Sequence, residues 1–457
     1  MASKYVELPT EVLENVFSDV ELCSDDPHID ATLQLLRGER TLGVKVIRAS
    51  LTTRRPLGGV RDTPWIEPTF MVHWTRLRIL ELRGFPFDSP SDIKRFLSTL
   101  RTSCKRLQEF TFRPVSGSLP SQGFELEGLE KVSWQTTIDT PLTPILSASA
   151  ATLAHITFLG RVIHRRGIQY DEFLKLRFPS LKSLELGSLE HSNTEIRTNQ
   201  LITTFILAHP SIEHLSLGRS RPSYFIFQLD ADQLKDDSLP ALKSFEGYPE
   251  NVTTLVRRRV QSLFSITSLS LCCPKEEEDP TRVLREMVEA VSDVEGMPRQ
   301  FLSVTKLRFE TSAVLNHHTP SNATSLTHHS WMDHLSQLCP NVLTWSGKLP
   351  PMNSAHLAKM FAMYEHLEII CLPWLSIIPG MPSALFDYFG IVSERCGHLR
   401  FIVARRPEYT ERPNQVFILH RDNAGTLVRV ESRIVHEYDV DWDEIFRKHD
   451  SPPDPLT

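Results

Sequence analysis

Residues 316–334 read NHHTPSNATSLTHHSWMDH and bring His317, His318, His328, His329, Asp333 and His334 into one short stretch. Imidazoles and a carboxylate at that density are the raw material of a zinc site. His329 and Asp333 stand four apart, about one helical turn, and would share a helix face. The spacing of the other histidines matches no zinc pattern, so the stretch reads as a solvated loop and helix face. No C-x-x-C pair accompanies it. Cys272 and Cys273 are adjacent, which suits neither chelation nor bridging. The chain has no G-x-x-x-x-G-K-[ST] loop, no G-x-S-x-G elbow and no G-x-G-x-x-G after a strand. The runs RRR at 257–259 and KEEED at 275–279 are of the kind that coat a surface, and the arginines lack the interleaved aromatics of a nucleic-acid site. The expectation is a protein with no catalytic residues, no metal and no cofactor.

Composition narrows the setting. The 457 residues carry a formal net charge of −6, with 40% hydrophobic and 23% charged residues. Mild acidity argues against attraction of the whole chain to nucleic acid or an anionic membrane. The first thirty residues show neither a basic region nor an apolar run of the secretory type. Seven scattered cysteines, an odd number, read as free thiols of an intracellular protein, cytoplasmic and/or nuclear.

The elements that would position any site announce themselves as a repeated six-residue phrase. LRILEL starts at Leu77 and LQEFTF at Leu107, and ten further copies follow, down to LRFIVA at Leu399. Their spacing runs from 22 to 38 residues. Positions 1, 4 and 6 are apolar in nearly every copy, and the two-residue step from 4 to 6 is strand alternation. Two copies end in glycine instead, at Gly247 and Gly347. The intervals have helical periodicity. SDIKRFLSTLRTSC sets Ile93, Phe96, Leu97 and Leu100 on one face behind a serine cap at Ser91. TRVLREMVEAVSDVEG does the same with Val283, Leu284, Met287, Val288 and Val291. FPSL, HPSI, LPAL and CPNV, at Pro179, Pro210, Pro240 and Pro340, end a helix just before a strand phrase begins.

Twelve such phrases in series resemble the long, irregular leucine-rich repeats of F-box proteins. The resemblance implies an α/β solenoid over residues 77–405, with parallel short strands on a concave face and helices on the convex face. The family's usual asparagine after the strand is absent: LELRG, LELGS and LSLGR have none.

At the other end, LPTEVLENVF is similar to the first half of an F-box. That resemblance makes residues 1–40 a partial F-box-like helical segment. Leu8, Pro9, Val12, Leu13, Val16 and Phe17 would then contact a Skp-type adaptor and, through it, a cullin ligase core. The second half departs from the pattern, with no Cys-Arg-x-Trp. IDATLQLLRG reads as a short helix, and VKVIRA, with Val44, Val46 and Ile47, as an extra strand within residues 41–76, a linker or first irregular repeat. A plain cap on the array remains the alternative for the N-terminal helix.

Positions 3 and 5 of each phrase would point to the concave side. Lys306, Arg308, Ile369 and Phe401 are the expected partner-binding end of that face, a basic point beside an apolar one. The competing expectation is that residues 406–457 cover Ile369 and Phe401, with a hairpin about Asn423–Gly425 and a short helix carrying Trp442, Ile445 and Phe446. The functional reading is a substrate-recognition subunit of a Skp-cullin-F-box type ubiquitin ligase, holding an unidentified protein substrate. The alternative is a leucine-rich-repeat scaffold with no ubiquitin role.

Overall fold

A leucine-type residue at positions 1, 4 and 6 buries three side chains from six residues, enough to pin a short strand but not a free-standing sheet. In the computed structural model, copies within each of two units pin their strands against their neighbours. The structure describes residues 19–23, 46–52, 68–83, 90–113, 125–134, 143–158, 173–187, 195–218, 227–273, 280–293, 300–311, 332–347, 354–373, 382–405, 414–422 and 424–435. They fall into two compact units, Met1–Leu263 and Phe264–Thr457.

In the first unit, nine strands pair in chain order, all parallel: β1 (Asp19–Cys23), β2 (Arg48–Thr52), β3 (Ile79–Arg83), β4 (Glu109–Arg113), β5 (Lys131–Trp134), β6 (His155–Phe158), β7 (Ser183–Leu186), β8 (His214–Leu217) and β9 (Ser244–Gly247). The second unit continues the pattern with β10 (Ser268–Cys273), β11 (Lys306–Thr311), β12 (Thr344–Gly347), β13 (Ile369–Pro373) and β14 (Phe401–Arg405). It closes with an antiparallel hairpin, β15 (Asn414–Arg421) and β16 (Leu427–Val435). Strands alternate with helices, among them α1 (Pro90–Ser103), α2 (Thr143–Ala148), α3 (Glu195–Leu207), α4 (Pro249–Arg257) and α5 (Pro280–Asp293). A helix over residues 332–338 comes next as α6. Ser354–Phe361 forms α7 and Pro382–Arg395 forms α8. Ser91 lies inside the first turn of α1, not at its cap, because Pro90 already occupies the start where its missing N–H costs nothing.

Two strands precede the twelve expected ones. The phrase FSDVEL, residues 17–22, leads into β1, and VIRASL, residues 46–51, leads into β2. Both repeat the 1, 4, 6 pattern in register, with Arg48 opposite Ile79 and Asp19 opposite Arg48. Residues 19–23, expected within a helical F-box-like segment, are therefore the first strand of the array. The extra strand near VKVIRA starts at Arg48, and Val46 is its buried entering anchor.

Neighbouring copies are joined at the strand entrance. The carbonyl at position 2 accepts two N–H groups, from positions 2 and 3 of the following copy. Ile47, Arg78, Gln108, Glu130, Ala154, Lys182 and Glu213 do so in the first unit, and Thr267, Thr305, Leu343 and Glu368 in the second, all at 2.7–3.1 Å. This backbone ladder does the coupling for which the resemblance would have supplied an asparagine.

A second recurrent contact precedes it. The N–H of position 1 closes a turn onto the carbonyl three residues earlier, as in Leu77 to Trp74, Leu107 to Cys104, Ile212 to His209 and Leu399 to Cys396. The residue supplying that carbonyl is buried in each case. Scattered cysteines thereby become core anchors. Burial pushes the thiols of Cys104 and Cys396 up to about 12 and about 11, and that of Cys339 higher still. His209 is an anchor of the same kind. Its Nε2 accepts the Phe178 N–H at 2.9 Å, and its Nδ1 donates to the Phe205 carbonyl at 2.7 Å. Both bonds together require the neutral ring.

The two glycine-ended copies keep a full core because position 4 is large. The Phe245 ring lies 3.0 Å from where a Cβ of Gly247 would stand, and Trp345 stands equally close at Gly347. At Gly347 the Phe309 carbonyl of the neighbouring strand also occupies that space.

Two predictions follow from this packing. Gly347→Ala should cost about 1–3 kcal/mol by overpacking, whereas Gly390→Ala, in α8 with nothing within 4 Å of the new methyl, should stabilise by about 0.5–1 kcal/mol. Urea unfolding of the two variants checks the contrast. Burial first, and Arg177 as a lesser cause, hold His209 below its ordinary value, against the opposing Phe205 bond. A lowered imidazole pKa gives stability that is complete above about 6.5 and lost as pH falls from there through the folded value. His209→Phe, which leaves the Phe178 N–H unpaired, should cost about 1–3 kcal/mol at neutral pH. Its deficit should shrink as the pH is lowered to 5, read as urea midpoints of both proteins at the two pH values.

Candidate interaction face

Because the strands are parallel and in register, side chains at position 3 of successive copies form one row and those at position 5 another. Positions 4 and 6 face the helices, as the Trp345 ring against Phe361 shows, with centroids 5.0 Å apart. The opposite face carries the rows.

In the first unit the rows are polar apart from Ile79, and their side chains pair with one another. Lys131 on β5 meets Glu109 on β4 at 3.4 Å, and Arg83 meets Glu81 along β3 at 2.6 Å. Thr157 donates to the Glu185 carboxylate across β6 and β7 at 3.2 Å. Position 2 adds Gln108 to Glu130 at 2.7 Å and Lys243 to Glu213. The Lys243 hydrogen bond holds the Glu213 carboxyl below its usual range. His155 sits in register between Lys131 and Ser183. Desolvation, then the charges of Lys131 and His214, lower its proton affinity against the pull of Glu109. Exposed pairs of this sort are worth about 0–1 kcal/mol each, so they order the face more than they stabilise it.

In the second unit Lys306 is exposed and Arg308 half-buried, in register with Ser268 and Ser270 on one side and Thr344 and Ser346 on the other. The apolar end of the expected site is not at the surface. Ile369 is 7% exposed and Phe401 2%, in one buried cluster with Cys371, Val403, Val416 and Ile418. The cause is the reversal of the chain after β14. β15 runs back antiparallel and sets Ile418 opposite Phe401 and Val416 opposite Val403. The hairpin is held in turn by Arg421, whose guanidinium donates to the carbonyls of Ser393, Cys396 and Leu399 at the end of α8. Of the four residues expected to meet a partner together, Lys306 is exposed and Arg308 half-buried, whereas Ile369 and Phe401 are core.

Leu8, Pro9, Val12, Leu13, Val16 and Phe17 lie outside the described residues, as do His317, His318, His328, His329, Trp442, Ile445 and Phe446. Asp333 and His334 fall on α6. Among the described residues no three His, Cys, Asp or Glu side chains are placed to hold a metal ion. An open depression beside α5 and α6, lined by Val288, Ser292, Gln300, Gln337 and Leu338, carries no titratable group. No helix among the described residues is long and apolar enough to cross a membrane. Sequence reasoning missed Arg48 and Ser50, which extend the two rows onto β2. The signal was VIRASL, where two of the three anchors, Val46 and Ala49, are smaller than the leucines elsewhere.

Each unit has the strand-and-helix alternation of leucine-rich repeats. No protein-family model matches the chain, and no curated protein matches it. Among solved structures the chain is similar to the leucine-rich repeat-containing protein LegL7 from Legionella pneumophila, at 11% identity and a TM-score of 0.38, covering 80% of this chain and 90% of that one. A score so low adds nothing to the strand order and register, on which the description of the fold rests.

The division of the site is directly measurable. Phe401→Ala should destabilise the second unit by about 3–5 kcal/mol, and Lys306→Glu should stay within about 0.5 kcal/mol of the parent, as read by urea unfolding.

Proposed function

We propose that this chain is a non-enzymatic interaction scaffold that holds a protein partner against the polar rows of its parallel strands. The observation that carries the reading is the register itself. Within each unit it aligns side chains of successive copies into polar rows on the face away from the helices, and in the second unit these rows carry Lys306 and Arg308. Rows of this kind suit recognition of an extended polar surface, with charge pattern setting specificity more than affinity. Among the described residues, cysteines outside any disulfide, with Cys104, Cys339, Cys371 and Cys396 buried, support a reducing, intracellular setting, cytoplasmic or nuclear.

The finer reading is a substrate-recognition subunit of a Skp-cullin-F-box type ubiquitin ligase. Its support is the Leu8-Pro9 opening and the apolar stripe through Val12, Leu13 and Val16. Against it stands the phrase FSDVEL, where Phe17 holds position 1. That position is 0–4% exposed in the twelve copies from Leu77 to Leu399. The segment directly after that stripe, Asp19–Cys23, is a strand paired in the array and not the second half of an F-box, so the scaffold reading is preferred.

Two measurements test the choice. Lys306→Glu with Arg308→Glu should weaken capture of a co-purifying protein partner about tenfold or more while circular dichroism stays unchanged. Undiminished capture would falsify the proposed role of that end of the rows. A purified Skp-type adaptor should not be retained by the full chain. Retention that Leu13→Asp abolishes would establish the ligase reading instead.

A further inference from the structure

β16 stands last in the strand order, paired on one side with β15. Among the described residues nothing pairs with its other side. It is nine residues long, and Val428 and Ile434 are 56% and 64% exposed. A long, exposed, apolar edge invites a further strand unless something blunts it. Here the blunting is incomplete. Arg429, Glu431 and Arg433 share one face, opposite His420, Ile418 and Val416. Glu431 accepts from Arg433 at 2.6 Å and lies 3.6 Å from Arg429. Val430 and Ile434 share the other face. There is no proline in the strand and no inward-pointing charge on that second face.

One register of this edge against itself combines opposite charges with paired β-branched side chains. Antiparallel pairing centred on Glu431 would set Glu431 against Glu431 and Arg429 against Arg433, all like charges. Centring on Val430 would set Arg429 against Glu431 twice, but it would also set Val428 against Ser432 and Leu427 against Arg433, apolar against polar. Centring on Ser432 sets Glu431 against Arg433 twice and Val430 against Ile434 twice. Opposite charges and β-branched pairs directly across an antiparallel ladder each contribute about 0.2–1 kcal/mol, and a two-fold axis counts each pair twice.

We propose that the outer edge of β16 is a self-association site, pairing antiparallel with β16 of a second copy of this chain about a two-fold axis at Ser432. Glu431 of each copy then meets Arg433 of the other, Val430 meets Ile434, and the open backbone groups of the edge are satisfied. The assignment holds whatever the polar rows bind.

Sedimentation of the full chain over a range of concentrations tests it, with wild type expected to dimerise. Arg433→Glu alone, and Glu431→Arg alone, place like charges across the axis and should each raise the dissociation constant about tenfold. An equimolar mixture of the two variants pairs a doubly acidic edge with a doubly basic one, and association should return. Ser432→Cys should form a disulfide-linked dimer on mild oxidation, since opposed Cβ atoms lie about 4.5–5.5 Å apart, while Thr426→Cys should not. The crosslink also decides the matter if a charge variant fails to fold, which circular dichroism reports. A wild-type monomer at about 100 μM, species larger than dimers, single variants that dimerise like wild type, or a mixture that stays monomeric would each overturn the proposal.

Discussion

In eleven of the strand phrases the carbonyl at position 2 accepts two N–H groups from the next copy, and the rest of the fold depends on that bond pair. A parallel strand of four or five residues gains little from its own ladder. Doubling the acceptor at the entrance pins each copy before its anchors pack. It also sets register: once positions 2 and 3 are held, positions 4 and 6 must fall on the apolar side and positions 3 and 5 on the other. Glu109 can meet Lys131, and Thr157 can meet Glu185, only because that register is constant. Since the coupling is made by backbone, it asks nothing of the residue after the strand. The chain can therefore omit a bonding asparagine and vary its spacing from 22 to 38 residues without losing the stack.

The periodic anchors made the strands legible, because burial at positions 1, 4 and 6 leaves a period-two trace wherever the anchors are large. The trace faded where they are small or atypical. Ala49 in VIRASL blurred the register of β2, which was expected near VKVIRA but starts at Arg48, and a leucine-proline opening directed the reading of residues 19–23 to a helix where β1 stands. The cysteines were read correctly as free thiols but not as anchors, since the turn that makes Cys104, Cys339 and Cys396 core becomes visible only beside Trp74, Phe178 and His209 in the same place. Gly247 and Gly347 looked like missing anchors. They are spaces filled by the rings of Phe245 and Trp345.

The choice at Ile369 and Phe401, between a binding end and cover by a C-terminal hairpin, falls to cover. Alternation states which side of a strand a residue occupies, not whether water reaches that side. β13 and β14 present Ile369, Cys371, Phe401 and Val403 to the side that is polar on earlier strands. Four apolar residues there announce that something covers or extends the face. Local periodicity carries no information about a strand that returns antiparallel after an intervening loop. Composition at positions 3 and 5 was thus a better guide to burial than position alone.

A parallel array cannot end on a repeat without leaving an apolar flank and an open row of backbone groups. In the second unit the hairpin answers the first difficulty. Leu419 donates its N–H to the Arg400 carbonyl, which at position 2 would otherwise serve a further copy, and the Phe417 ring packs on Phe389 of α8. Arg421 then ties the turn to the carbonyls that end α8, and Asp422 holds the reversal by accepting the N–H groups of Ala424 and Thr426. What the hairpin cannot do is abolish an edge, because any open sheet has a last strand. It exchanges an edge that any further repeat could extend for one whose charges admit a narrow set of registers. Repeated copies make generic edges that accept one another in sequence. A strand of alternating Arg, Glu and Arg accepts only a partner whose charges are spaced to match.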